Sequence, residues 1–155
     1  RNAYQQNIRD YKDTIPQLFW YNAFIIISNR IESKVGTLNG AYEHFNEWKK
    51  IKDEKEIGKV SLETVIKGTC EPTQLLDIIE NFILFDDSRG ERIKAIARYF
   101  QYFGVNRAFE EVKNRDKNKG RLGVFWHTQG SGKSYSMVFL SQKYSVNLPA
   151  ISLLS

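Results

Sequence analysis

Apolar positions change period several times along the chain, and each change marks an element. Tyr4 to Tyr11 is mostly polar and reads as a helix, closed by Thr14-Ile15-Pro16 because the residue before proline avoids the α region. Leu18-Phe19-Trp20 reads as a buried connector. Ala23-Phe24-Ile25-Ile26-Ile27 is β-branched on both faces, the pattern of a central strand covered on both sides. Ser28-Asn29-Arg30 is a turn, and Ile31 to Thr37 is expected to pair beside the first strand. Tyr42 to Trp48 reads as a helix with Phe45 and Trp48 on one face. Lys49 to Lys59 mixes both charge signs, as a solvated loop or helix end does.

Pro72 suits a first helical position, and Leu75, Ile78, Ile79, Phe82 and Ile83 follow at helical spacing as a packing stripe. Phe85 to Gly90 breaks that pattern, which divides the chain into 1–85 and 86–155. Ile96, Phe100, Phe103, Ala108, Phe109 and Val112 indicate a second amphipathic helix, and Lys113 to Arg121 a polar loop. Leu122-Gly123-Val124-Phe125-Trp126 has the length of a buried strand, and Ser134 to Tyr144 reads as a helix. No repeat or low-complexity segment interrupts this order.

Between that strand and helix lies His127-Thr128-Gln129-Gly130-Ser131-Gly132-Lys133-Ser134. Strand, glycine-rich turn and helix in this order form the setting of a phosphate-binding loop. Gly130 and Gly132 allow backbone N–H groups to turn inward, and the helix N-terminus adds positive potential. Thr128, Gly130, Ser131 and Gly132 line such a seat. Lys133 would reach the β- and γ-phosphates of a bound polyphosphate, and the Ser134 hydroxyl would ligate Mg²⁺. The general pattern has glycine where this chain has His127, which is read as a structural loop residue. A glycine-rich turn that merely ends in Gly-Lys-Ser is the alternative. Gln101 stands ahead of the loop strand, and its amide offers the donor and acceptor that reading an adenine edge requires. An exposed helix residue is the other reading of Gln101.

Composition changes this picture little. The chain has 155 residues, 41% hydrophobic and 14% aromatic, enough for a packed core. A net charge of +5 is compatible with a polyanion partner but too mild to argue for one alone. The single cysteine, Cys70, excludes a disulfide framework, fits a reducing compartment and reads as a buried small residue. No apolar run approaches a membrane span. The start at Arg1-Asn2-Ala3-Tyr4, without methionine or signal peptide, suggests a piece of a longer polypeptide.

The segments Asn81 to Asp86, Ala97 to Ala108 and Leu122 to Ser134 together closely resemble the R (restriction and translocation) subunit of type I restriction-modification enzymes. In that family histidine commonly replaces the first loop glycine. Tyr11 to Phe19 and Ile26 to Asn29 resemble the tail of its nuclease domain. The resemblance implies an α/β fold: the end of a restriction-endonuclease-like domain joined to the start of a RecA-like P-loop translocase lobe. It also implies ATP and Mg²⁺ as cofactors, double-stranded DNA and the modification (methyltransferase) and specificity subunits as partners, and a cytoplasmic location. The nuclease signature itself is not matched, and Asp53-Glu54-Lys55 does not substitute for it. Near the Gln-x-x-x-Tyr element of the family, Tyr11 fits, but Asn7 stands four before it and Gln6 one further away. No water-activating acid motif follows the loop helix, so no catalytic residue is assigned within this piece and no turnover is expected from it alone. A nucleotide kinase and a non-enzymatic interaction domain are the competing readings.

Overall fold

The computed structural model describes residues 3–29, 31–87, 90 and 92–147. It is a mixed helix and sheet structure whose strand pairs are antiparallel among the described residues. The chain opens in a π-helical stretch, Ala3–Ile8, continued by α1, Arg9–Thr14. The Pro16–Phe19 turn follows, but Leu18 and Trp20 are 63% and 70% exposed, so this connector is not buried.

β1 (Ile25–Ser28) pairs with β2 (Ser33–Gly36), with Ile25 opposite Gly36 and Ser28 opposite Ser33. The turn is closed by Asn29, whose Oδ1 accepts from the N–H groups of Ile31 and Glu32 at 2.9 and 2.6 Å. The third strand, β3 (Asn46–Glu47), pairs with β2 and not with β1. The central strand is therefore β2, and the apolar β1 lies at the edge with all its residues only half-buried.

Tyr42 to Trp48 is not a helix. Tyr42–His44 forms one 3₁₀ turn, and the chain then extends into β3. Phe45 and Trp48 are both buried as expected, but against different neighbours. The Phe45 ring sits where a Cβ on Gly36 would lie, 2.5 Å from its Cγ, and meets Tyr4 edge-on at 5.4 Å. Trp48 packs instead on Tyr102 and Phe103. Extended backbone sends residues three apart to opposite faces, which serves both partners where a helix would not. The charge-rich stretch after it is a solvated loop, with the Glu56 carboxylate accepting from the N–H groups of Ile51, Lys52 and Asp53.

α2 (Leu62–Thr69) has no counterpart in the periodicity reading. Ser61 caps it, its Oγ accepting from Thr64 N–H at 3.0 Å. Gly68 is required inside this helix: a Cβ there would lie 2.5 Å from Trp48 Nε1 and 2.6 Å from the Lys50 carbonyl. Helix propensity favours alanine over glycine by about 1 kcal/mol, and overpacking costs about 1–3 kcal/mol. Gly68→Ala is therefore expected to lower stability, read as a lower urea midpoint. A raised midpoint would show that Trp48 can move. Cys70, after this helix, is exposed rather than buried.

α3 (Pro72–Asn81) starts on Pro72 as expected, with the Glu71 carboxylate accepting from Gln74 N–H at 2.9 Å. Ile78 and Phe82 are fully buried, whereas Ile79 is exposed and Ile83 belongs to a strand. β4 (Ile83–Asp86) and β5 (Ile93–Ile96) form a hairpin that crosses residues 85 and 86. α4 (Tyr99–Lys113) buries Tyr102, Phe103, Val105 and Phe109, and α5 (Lys133–Asn147) buries Phe139. Val35, Trp48, Val65, Ile78, Phe82, Tyr102 and Phe139 meet in one core, fed from both sides of the hairpin.

Residues 122–126 do not form the expected strand; Val124 and Trp126 are 89% and 84% exposed. A strand is held by a neighbouring ladder, and none of the described strands pairs with this segment. Among the described residues, no helix is long and apolar enough to cross a membrane.

Candidate phosphate-binding loop

The loop closes onto the N-terminus of α5. Ser131 N–H donates to the Thr128 carbonyl at 3.2 Å, and Ser136 N–H to the Gly132 carbonyl at 3.3 Å. Gly130 and Gly132 have φ of +79° and +83°, the left-handed region that favours glycine. At Gly132 space is short as well, because a Cβ would lie 3.1 Å from Gln101 Nε2. The Lys133 ammonium bends back over the loop, donating to the carbonyls of His127 at 2.7 Å and Thr128 at 3.2 Å. Lys133 and Ser134 are exposed in the first turn of α5, and Thr128 and Gly130 are exposed before it. Ser131 Oγ is buried without a protein partner.

Gln101 is 4% exposed, which removes its reading as a surface helix residue. Its Oε1 accepts from Arg98 N–H at 2.9 Å, capping α4, and its Nε2 donates to the Gly132 carbonyl at 3.0 Å. The amide thus braces the loop. A cavity of about 270 Å³ opens beside it, lined by Gly130, Ser131, Gly132, Gln101, Arg98 and Lys94 among others. His127 stacks on Phe125 at 4.6 Å and lies 5.0 Å from Phe100, the arrangement of a structural loop residue. Burial holds its imidazole below the ordinary pKa, against the pull of Glu54. Gly104 makes room for this stack, since a Cβ there would lie 2.8 Å from the Phe125 ring.

Sequence reasoning missed Lys94 and Tyr135. Lys94 Nζ donates to the Asn22 carbonyl at 2.6 Å, and its burial pushes the ammonium pKa down. Tyr135 donates to Asp86 Oδ2 at 2.8 Å. Neither residue carries a spacing signal, because both partners are distant in the chain.

The family model for the type I restriction enzyme R protein N terminus matches residues 1–67, and that for the SWI2/SNF2 ATPase matches residues 100–154. The HindI endonuclease subunit, a type I restriction enzyme of Haemophilus influenzae, is 42% identical over 140 residues, covering 86% of this chain. The chain belongs to the type I restriction enzyme R-subunit family. A Methanocaldococcus jannaschii relative, MjaIXP, is 25% identical over 166 residues, covering 92% of this chain. The SauCOLORF180P endonuclease subunit of Staphylococcus aureus is 26% identical over 144 residues, covering 90%. The chain spans only 13%, 15% and 14% of these relatives' own lengths. The loop and Gln101 fall within the ATPase match, and Gln6 and Asn7, exposed in the opening π-helical stretch, fall within the R-protein match.

Proposed function

We propose that this chain carries the ATP-seating part of an R subunit that translocates and cleaves double-stranded DNA. In this reading the subunit works in the cytoplasm in a complex with methyltransferase and specificity subunits. The observation that carries it is the loop itself: two left-handed glycines just before α5, with the Lys133 ammonium bonded to the His127 and Thr128 carbonyls of the same loop. The residues fit a polyphosphate with Mg²⁺. At Gly132 a Cβ would crowd Gln101 Nε2, and the Ser131 hydroxyl is buried without a protein partner. Lys133 would hold phosphate oxygens in place of the two carbonyls, and the exposed Ser134 hydroxyl would hold the metal. Bound ATP and Mg²⁺ supply the transferable phosphoryl group and its countercharge. This chain's residues bind and orient that group.

Gln101 belongs to the same reading. It keeps one amide hydrogen and one lone pair after bracing the loop, and it lines the cavity where a base edge would lie. Binding of this kind lowers the ground state, and positioned charges elsewhere are needed for turnover. Calorimetry with ATP·Mg²⁺ is therefore expected to show binding by the full-length subunit, with ATP preferred to GTP, while residues 1–155 alone release no phosphate. Absence of ATP binding by the full-length subunit would remove the reading. Equal affinity for GTP would leave Gln101 as a brace only.

A further inference from the structure

One continuous piece of chain lies along α5 in the opposite sense. Tyr135 donates to Asp86 Oδ2 at 2.8 Å, and the Phe139 ring lies 5.6 Å from that of Phe82. Gln142 Nε2 donates to the Glu80 carbonyl at 2.6 Å, and Lys143 Nζ donates to Asp77 Oδ1 at 2.5 Å. The partners descend from Asp86 to Asp77 as α5 ascends from Tyr135 to Lys143. This strap, the end of α3 and all of β4, falls between the two family matches and belongs to neither.

The far end of the strap is the firmest. Side-chain exposure is 11% for Lys143 and 20% for Asp77, so both charges are largely withdrawn from water. Lys143 also donates to Asn106 Oδ1 at 2.5 Å and lies over the rings of Phe82 and Phe109. Asp77 also accepts from Asn81 Nδ2 at 2.8 Å and Asn106 Nδ2 at 3.3 Å. A largely buried ion pair held by several further hydrogen bonds is restricted to one geometry. By contrast, Lys133, Ser134, Met137 and Val138 at the loop end of α5 are exposed. Helical rise puts Lys143 roughly 15 Å from Lys133, on the same rod.

We infer that residues 77–86 are a coupling strap, with Asp77 and Lys143 as its positioning residues. Polyphosphate seated on the loop engages the more exposed end of α5, and the strap carries that ordering to α3 and the N-terminal region. The inference rests on the loop reading. The physical requirement for coupling is a contiguous packed path whose order differs between the free and bound states.

Hydrogen exchange on the full-length subunit, with and without ATPγS·Mg²⁺, tests it. Nucleotide should slow exchange at 77–86, as well as at the loop, by at least about threefold. Asp77→Leu/Lys143→Met removes both charges together and leaves no buried charge unpaired. That protein should still bind ATPγS, weakened by no more than the coupling factor, because linkage is reciprocal. Its strap should show no nucleotide-dependent protection. Protection confined to the loop end in the native subunit would overturn the inference even if the variant failed to fold. So would protection of the strap that persists in the double variant. No ATPγS binding by the native subunit would overturn the loop reading and this inference with it.

Discussion

Phe82→Ala is expected to lower stability by about 3–5 kcal/mol, the range for removing a buried aromatic ring. Phe82 is wholly buried, with its ring 4.8 Å from that of Tyr102 and 5.6 Å from that of Phe139. The Lys143 ammonium lies 5.3 Å from its centroid, so truncation also strips a buried cation of an aromatic face. The residue ends α3 and leads into β4, so backbone on both sides is committed and collapse into the space is limited. Such a loss is a large share of the roughly 5–15 kcal/mol that holds a domain folded. Equilibrium unfolding in urea measures it, and Phe82→Leu should lose much less because most of the volume is kept. A loss below about 1 kcal/mol for the alanine variant would mean that α3 and α5 do not share this core.

Lys133→Ala should weaken ATP·Mg²⁺ binding by the full-length subunit about tenfold to a hundredfold. The removed contact is a charge-assisted one worth roughly 1.5–3 kcal/mol. The ammonium donates to the carbonyls of His127 and Thr128. Phosphate would have to replace those bonds, so the net gain would be below that of an isolated ion pair. Lys133 is exposed, and its removal should barely move the unfolding midpoint. That separates lost binding from lost folding. Calorimetry is the measurement, and unchanged affinity would take Lys133 out of the phosphate seat.

Some elements were legible because their causes are local. Pro72 starts α3, Asn29 turns β1 back into β2, and the helix after Gly132-Lys133-Ser134 runs as its pattern predicts. Other elements misled because a neighbour decided them. Tyr42 to Trp48 carries a helical spacing of Phe45 and Trp48, yet Gly36 offers a floor to one and α4 a wall to the other. The hairpin of β4 and β5 hides in a polar break, since its ladder is made by pairing and not by turn residues alone. Leu122 to Trp126 has the composition of a strand but lacks a paired neighbour among the described strands.

The sequence by itself determined the family, and it marked the glycines and lysine proposed here to seat phosphate, because these depend on residue types at fixed short spacing. Only the tertiary structure decided that Gln101 braces Gly132 and that His127 stacks on Phe125. It alone joined Asp77 to Lys143 across α3 and α5. Those partners lie tens of residues apart, and no local periodicity records a contact that exists only after the core has brought two helices together.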